Sequence, residues 1–161
     1  MTLAYVALGS NLGEPRRQVL DALDTLAGLP GTRLLQRSPL YRTPPWGVLD
    51  QPPFINAVAE LETTLSPDAL LQHLLAIEQR AGRVRAERNG PRTLDLDLLH
   101  VEGVRRHDPA LTLPHPRLAE RAFVLLPLAD IAPDLRLPGQ GSVTELLARV
   151  DAAGCERLLA P

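Results

Sequence analysis

The stretch Thr93-Leu94-Asp95-Leu96-Asp97-Leu98-Leu99-His100-Val101, residues 93–101, does most to decide the fold of this chain. Leucine and aspartate alternate over its first half, which is the period-2 pattern of a β-strand with two different faces. The leucines then face a core, and Asp95 and Asp97 share the opposite face, with Cα atoms ~6.5–7 Å apart. Carboxylates at that spacing repel unless they are protonated or bridged by cations. The strand therefore predicts either a divalent metal site or the polar outer face of a half-exposed sheet.

The segments around this strand predict the order strand, helix, strand, strand, helix, strand, which is the ferredoxin-like α+β pattern. The predicted elements are a strand over 3–8, a helix from Pro15 to residue 27, an extended segment over 32–43 with a break at Pro39, a loop over 44–53, a strand over 54–63, a helix capped by Ser66 and ending at Gly82, a hairpin return over 104–106, a loop or short helix over 114–121, and a last helix opening at Ser142. Residues 139–161 carry no motif and are expected only to pack. We expect one domain over residues 1–161.

Composition excludes several kinds of chemistry. All 17 basic residues among the 161 are arginine, so there is no lysine for a Schiff base or a Walker-A phosphate loop. The net charge of −2 gives no signal for nucleic acid. No apolar run is long enough to span a membrane and no signal peptide is evident. The single cysteine, Cys155, cannot form an internal disulfide, so we expect a cytoplasmic protein.

Basic residues cluster directly before the acidic strand. Arginines stand at positions 83, 85, 88 and 92, beside Gly82 and Gly90. The guanidinium group is a planar fork that suits phosphate oxygens. Arginines next to a carboxylate pair that could hold a metal are what phosphoryl transfer needs. The alternative is a solvated charge run that Glu87 partly balances.

Two further sets of residues are candidates for ligand binding. Pro114 and Pro116 fix the backbone around His115, which suits a histidine acting on a ligand as a hydrogen-bond donor or a proton carrier. Phe54 and Phe123 could form two walls around a planar heterocycle, and Asn56, on the same strand face as Phe54, offers it a donor and an acceptor together. Spacing alone leaves open that both rings are core residues and that Asn56 lies at a sheet edge.

Six stretches together resemble one family. They are residues 7–13 (ALGSNLG), 41–45 (YRTPP), 54–57 (FINA), 78–85, 90–98 (GPRTLDLDL) and 113–115 (LPH). In this order they resemble the 6-hydroxymethyl-7,8-dihydropterin pyrophosphokinases of folate biosynthesis. The resemblance implies a three-layer α-β-α fold and transfer of the pyrophosphoryl group of ATP to the hydroxymethyl oxygen of a reduced pterin, with AMP as the other product.

The resemblance also implies roles for individual residues. Asp95 and Asp97 would bind two Mg²⁺ ions, and Arg83 and Arg92 would act on the triphosphate during catalysis. Further ATP contacts would come from Arg85, His115 and Arg121, and the adenine would lie near Leu98, Leu111 and Thr112. The pterin would lie between Phe54 and Phe123, and its amide edge would meet Asn56 and the backbone of Thr43, Pro44, Pro45 and Trp46. Asn11 and Glu78 match family positions that are architectural or lie on the substrate side.

Three positions depart from the family pattern and concern loop closure and phosphate contacts: Asn89 in place of a tryptophan, Pro116 in place of an aromatic hydroxyl, and Leu75 in place of a polar residue. Two other functions are open at this point. One is a ferredoxin-like module that binds RNA through its arginines, which the absence of an aromatic-rich strand and the presence of two aspartates disfavour. The other is a Mg²⁺-dependent nucleotide hydrolase without a pterin pocket. We expect a monomer that binds ATP and a reduced pterin, and neither nucleic acid nor membrane.

Overall fold

A computed structural model describes residues 1–45, 50–82 and 93–158. The first half of the chain contains β1 (Thr2–Ser10), α1 (Pro15–Ala27), β2 (Thr32–Arg37), β3 (Tyr41–Thr43), β4 (Phe54–Thr63), α2 (Pro67–Arg80) and β5 (Asp95–Val101). The second half contains β6 (Arg106–His107), β7 (Thr112–Leu113), a 3-10 helix (Leu118–Glu120), α3 (Ala122–Ile131), β8 (Arg136–Leu137), β9 (Gly141–Ser142), α4 (Val143–Leu147) and β10 (Glu156–Arg157).

The central sheet is antiparallel and has the strand order β10-β3-β4-β1-β5, with β2 paired to a second part of β4. The last strand of the βαββαβ unit, β5, therefore lies beside the first, β1, and β4 lies on the other side of β1. This is the ferredoxin-like arrangement that the order of elements predicted. β5 forms one edge of the sheet.

Apolar side chains pack on both faces of the sheet. Ala4, Val6 and Leu8 of β1 belong to a core with residues of α1 and α2. Tyr5 and Ala7, the intervening residues, belong to a second core with residues of α3 and α4. Alternate strand residues point to opposite faces. The three-layer α-β-α fold is thereby confirmed, with the α1/α2 layer on one side and the α3/α4 layer on the other.

Local sequence signals correctly located the starts of α1, α2 and α4. α1 begins at Pro15. Ser66 caps α2 by accepting a hydrogen bond from the Ala69 N–H, and Ser142 caps α4 in the same way from Glu145. The break at Pro39 separates β2 from β3.

Two features of the second half differ from the expectations. The hairpin return over residues 104–106 is wrong, because β6 begins at Arg106 and pairs with β7 instead of β5. The helix α3 has no counterpart among the predicted elements. Its residues AFVLLPLADI are apolar on all sides and include Pro127, so they lack the 3.6-residue period of a helix with one wet face.

The C-terminal segment does more than pack. β10 adds a strand to the edge of the sheet beside β3, pairing Arg157 with Tyr41. The Tyr41 hydroxyl donates to Asp130 at the end of α3 at 2.5 Å, and Arg157 lies 3.7 Å from the same carboxylate. Burial and the carboxylate raise the pKa of Tyr41 above its ordinary range. These contacts connect β3, the strand before the proline-rich loop, to the end of α3.

An irregularity in β5 places a histidine in the second core. The register of β5 against β1 shifts between Tyr5 and Val6, so Leu99 and His100 both lie on the α3 side. The His100 ring stacks on Tyr5 with centroids 6.3 Å apart, and the Tyr5 hydroxyl donates to Glu60 at 2.6 Å. Among the described residues, His100 Nδ1 is buried without a hydrogen-bond partner. Burial lowers the pKa of His100 below its ordinary value of 6.5.

We expect this imidazole to make the fold sensitive to acid. Below about pH 6.5 the unfolded chain binds a proton that the buried ring resists, so the free energy of unfolding falls as pH drops, by at most ~1.4 kcal/mol per pH unit for one proton. Urea unfolding at pH 7.5 and pH 5 should show a smaller loss in His100→Phe than in the wild type. His107→Phe, made at an exposed position, is the control. Equal losses in the wild type and His100→Phe would contradict the expectation.

Among the described residues, no helix combines the length and the apolar character that a membrane crossing requires.

Candidate active site

The two aspartates of β5 share the face opposite the leucines, as their alternation predicted, and the structure shows that this face is the one covered by the α3 layer. Asp95 and Asp97 are partly exposed, whereas Leu94, Leu96 and Leu98 are buried in the core with α1 and α2. Asp95 is the register partner of Gly9, and Asp97 is the partner of Ala7. Since both neighbours on β1 are small, no bulky side chain of β1 stands beside the carboxylates on this face of the sheet.

Two nitrogen-bearing side chains, Arg121 and His115, lie across from Asp97. Arg121 Nη1 is 3.8 Å from Asp97 Oδ2, and His115 Nε2 is 3.9 Å from Asp97 Oδ1. Both distances exceed that of a hydrogen bond, so the contacts are electrostatic. Arg121 is partly buried, which lowers the pKa of its guanidinium while Asp97 acts in the opposite direction. The structure thus brings together the acidic pair and two of the predicted ATP contacts.

Backbone contacts orient His115. Its N–H donates to the Leu99 carbonyl of β5 at 2.8 Å, and the Arg117 N–H donates to His115 Nδ1 at 3.2 Å. Because Nδ1 accepts, the ring hydrogen belongs on Nε2, the nitrogen nearer Asp97. Burial, with the Arg121 charge, lowers the pKa of His115 to about 4. A neutral imidazole at pH 7 favours the hydrogen-bond donor over the proton carrier.

Arg121 also connects the acidic pair to the predicted ring wall. Its guanidinium lies over the Phe123 ring, 5.5 Å from the centroid, which is a cation–π distance. Arg121 Nε is buried without a hydrogen-bond partner among the described residues. The arginine is therefore held by packing on Phe123 more than by hydrogen bonds from that nitrogen.

Asn56 lies beside the acidic pair on the same face of the sheet. One row of register partners runs from Asp95 through Gly9 to Asn56 and on to Tyr41. Asn56 is buried on a central strand, so the alternative that it is an edge residue is wrong. Phe54 shares its strand face, and Phe123 comes from the helix layer that covers this face. Both rings are half-buried, and the pterin walls they could form stay a prediction.

Side chains at the end of β1 form hydrogen bonds with the segments that lead into β5 and β4. Ser10 Oγ donates to the Thr93 carbonyl at 2.5 Å, just before β5. Asn11 Nδ2 donates to Gln51 Oε1 at 2.9 Å and to the Pro52 carbonyl at 3.0 Å, just before β4. The sequence showed residues 7–13 as a family motif but not these partners, which are 40 or more residues away and have no local signal.

Glu78 is a buried carboxylate on α2 that supports the acidic strand from outside the sheet. Its Oε2 accepts a hydrogen bond from the Leu96 N–H at 2.7 Å. Leu96 lies between the two aspartates on β5, and within the described part of the chain no strand lies on the outer side of β5 to bond this N–H. Glu78 therefore fixes the backbone that carries Asp95 and Asp97, which is an architectural role.

Removing this acceptor should destabilise the fold. Glu78→Ala leaves the Leu96 N–H buried and unsatisfied, at a cost of about 1–3 kcal/mol in the free energy of unfolding. Glu78→Gln keeps an acceptor at the same place and should lose less. Denaturant unfolding of both variants measures the difference, and equal stabilities would show that the hydrogen bond contributes nothing.

Two of the three predicted adenine contacts pack on the opposite side of the sheet from the aspartates. Leu98 and Leu111 are buried in the core with α1 and α2, and Thr112 is partly exposed in β7. Because β5 is an edge strand, a nucleotide could reach both sets only by passing around that edge. These three assignments stay predictions. Arg83, Arg85, Arg92 and Trp46, with the departure at Asn89, lie outside the described residues.

The fold and the site define a class of protein: a ferredoxin-like α+β domain that brings two aspartates, an arginine, a histidine and a buried asparagine together on one side of its antiparallel sheet. Residues 5–133 match the model of the 7,8-dihydro-6-hydroxymethylpterin-pyrophosphokinase family. The chain belongs to this family, and membership gives it pyrophosphokinase activity in folate biosynthesis.

Relatives match over nearly the whole chain. The chain is 55% identical over 154 residues to the 2-amino-4-hydroxy-6-hydroxymethyldihydropteridine pyrophosphokinase of Pseudomonas aeruginosa, covering 96% of this chain and 95% of that protein. It is 49% identical over 158 residues to the enzyme of the same name from Methylorubrum extorquens, covering 98% and 99%.

Solved structures agree on the fold. Plasmodium falciparum HPPK-DHPS, in a crystal structure with pteroate, superposes with a TM-score of 0.73 at 14% identity. The match covers 92% of this chain and 42% of that longer one. At this identity the likeness supports the α+β fold alone.

Proposed function

We propose that this protein transfers the β,γ-pyrophosphoryl group of ATP to the hydroxymethyl oxygen of 6-hydroxymethyl-7,8-dihydropterin, releasing AMP. The assignment of this reaction to one face of the sheet rests on three register partners on neighbouring strands, Asp95, Gly9 and Asn56. Neighbouring strands are ~4.8 Å apart, so about 10 Å separates the carboxylate strand from the amide strand. Gly9 has no side chain between them. A pterin ring bound at Asn56 could extend its hydroxymethyl group over Gly9 towards phosphates bound beside Asp95 and Asp97.

The acidic pair suits Mg²⁺. The described residues contain no cluster of three or more histidine, cysteine, aspartate or glutamate side chains that would form a complete protein cage for a metal. Two carboxylates on one strand face are the donor set of a hard cation that completes its shell with water and substrate phosphates. We propose that Asp95 and Asp97 hold two Mg²⁺ ions together with ATP. When bound, these ions would neutralise charge on the phosphates.

The side chains around the pair would position the triphosphate. His115 can donate from Nε2 and Arg121 from its guanidinium, and both are fixed before a ligand arrives. Arg83, Arg85 and Arg92 would add charge-assisted contacts from the basic loop. No residue in the described site is placed as a general base for the hydroxymethyl group, so positioning and electrostatic stabilisation would dominate the rate.

The pterin would bind over the sheet beside Gly9. Phe54 and Phe123 would contact the faces of the ring, and Asn56 with the backbone of residues 43–46 would bond its polar edge. We also propose that the enzyme is monomeric and cytoplasmic; the single cysteine, which cannot form an internal disulfide, supports the cytoplasmic location.

One assay tests this function against a nucleotide hydrolase and a binding module. The protein is incubated with ATP, Mg²⁺ and the reduced pterin, and nucleotides are separated. AMP should form only when the pterin is present and should stop when EDTA removes the metal. ADP, AMP without pterin, or no product would reject the proposal.

A further inference from the structure

The buried hydroxyl of Thr43 contacts the predicted pterin-binding amide directly. Thr43 Oγ1 donates to Asn56 Oδ1 at 2.6 Å, and the two residues are 1% and 7% exposed. A hydrogen bond between groups shielded from water is worth more than an exposed one. Family resemblance assigned Thr43 a contact through its backbone only, so its side chain has no role so far.

The contact with Leu8 supports the same orientation of the Asn56 amide. Asn56 Nδ2 lies 3.4 Å from the Leu8 carbonyl oxygen on β1. A carbonyl can only accept, so the nitrogen of the amide must face Leu8 and the oxygen must face Thr43. The two contacts use one N–H and one lone pair, and an amide has two of each, which leaves capacity for a donor and an acceptor contact with a ligand.

Gly9 provides the space in which the amide lies. A Cβ added at Gly9 would come within 2.7 Å of Asn56 Nδ2 and 3.8 Å of the Phe54 ring. Any other residue at position 9 would push the amide away. Asn56 is thus fixed from both sides, by Thr43 on β3 and by Leu8 and Gly9 on β1.

We propose that Thr43 is a positioning residue whose hydroxyl holds the Asn56 amide in the orientation that meets the polar edge of the pterin. The inference rests on the proposed function, since it assumes that Asn56 contacts the pterin. The hydroxyl acts through Asn56 and touches neither ATP nor the acidic pair. Its loss should therefore weaken pterin binding selectively.

Thr43→Val removes the hydroxyl and keeps the shape of the side chain. The KM for the pterin should rise roughly threefold to tenfold, which is the loss of one net hydrogen bond. The KM for ATP and kcat should stay near wild type. Thr43→Ser retains the hydroxyl and should restore the pterin KM. If Thr43→Val does not fold, Thr43→Ala, which introduces no larger group, takes its place.

Thr63→Val is the matched control. Thr63 is also 1% exposed, and its hydroxyl bonds to Thr32 Oγ1 at 2.7 Å and to the Leu65 N–H at 3.0 Å, but at the far end of β4. This variant should lose stability in urea unfolding without changing the pterin KM. A general loss of sheet stability would instead raise the KM in both variants, which would overturn the proposal.

A double-mutant cycle tests whether the hydroxyl acts through the amide. In an Asn56→Ala background, Thr43→Val should have no further effect on the pterin KM. This inference would be overturned by an unchanged pterin KM in Thr43→Val, or by an equal rise of the pterin KM in the presence and absence of the Asn56 amide. In either case, pterin-dependent formation of AMP by the wild type would still support the proposed function. If the wild type forms no AMP with pterin, the proposed function fails and this inference fails with it.

Discussion

Asp97→Ala should reduce turnover on the order of 10³-fold, equivalent to about 4 kcal/mol of transition-state stabilisation. Asp97 is the carboxylate nearest to both His115 Nε2 and Arg121, so it lies where the phosphates and metal would meet the donors. ATP affinity should lose its dependence on Mg²⁺. The measurement is a titration of ATP binding at increasing Mg²⁺, together with AMP formation at saturating pterin.

Two further variants interpret this result. Asp97→Asn keeps the shape but removes the charge, and it should lose activity without a large loss of stability. Asp24→Ala removes an exposed carboxylate that lies 3.5 Å from Arg37 on the other side of the molecule and should turn over like the wild type. Unchanged Mg²⁺-dependent ATP affinity in Asp97→Ala would refute the metal role.

Arg92→Ala should also reduce kcat on the order of 10³-fold, because an arginine that stabilises charge on a transferring phosphoryl group contributes at least that much in related reactions. Arg92 precedes Thr93, whose carbonyl Ser10 holds, and the acidic strand follows at once. The pterin KM should change little, since this residue is assigned to the triphosphate. Steady-state kinetics with each substrate varied in turn separates the two effects.

Arg92→Lys distinguishes charge from geometry. Lysine keeps the positive charge but loses the planar fork that contacts two phosphate oxygens, so we expect activity between those of the wild type and Arg92→Ala. Arg33→Ala, at an exposed arginine 3.8 Å from Glu62 at the far end of the sheet, is the control and should be silent. Near-wild-type turnover in Arg92→Ala would remove this arginine from the catalytic assignment.

The parts of the fold that sequence predicted are those with a local cause. Strict alternation at residues 94–98 set the two faces of β5, and serine caps at Ser66 and Ser142 set two helix starts. The helix α3 was missed because it is apolar on all sides and contains Pro127. Its sequence therefore lacks the periodic pattern of a helix with one solvent-exposed face. The pairing of β10 beside β3 was missed because a two-residue strand has no pattern of its own.

For the site, residue types were predictable and partners were not. Paired aspartates, the histidine between prolines, and an asparagine beside an aromatic ring were all visible as candidate ligand groups. The choice between donor and proton carrier at His115 needed the Arg117 N–H on its Nδ1 and the burial that lowers its pKa. Neither follows from sequence spacing.

By itself, the sequence determined that this protein has an acidic strand face, a run of arginines before it with no lysine in the chain, and the motifs of its family, because each depends on residues close together in the chain. Only the tertiary structure decided which distant groups meet: Thr43 with Asn56, Ser10 with Thr93, Glu78 with Leu96, and Arg121 with Asp97. The physical reason is that hydrogen bonds and ion pairs act over a few ångströms, so distant residues interact only where the fold makes them neighbours, as strand register does in placing residues 56 and 95 on either side of residue 9.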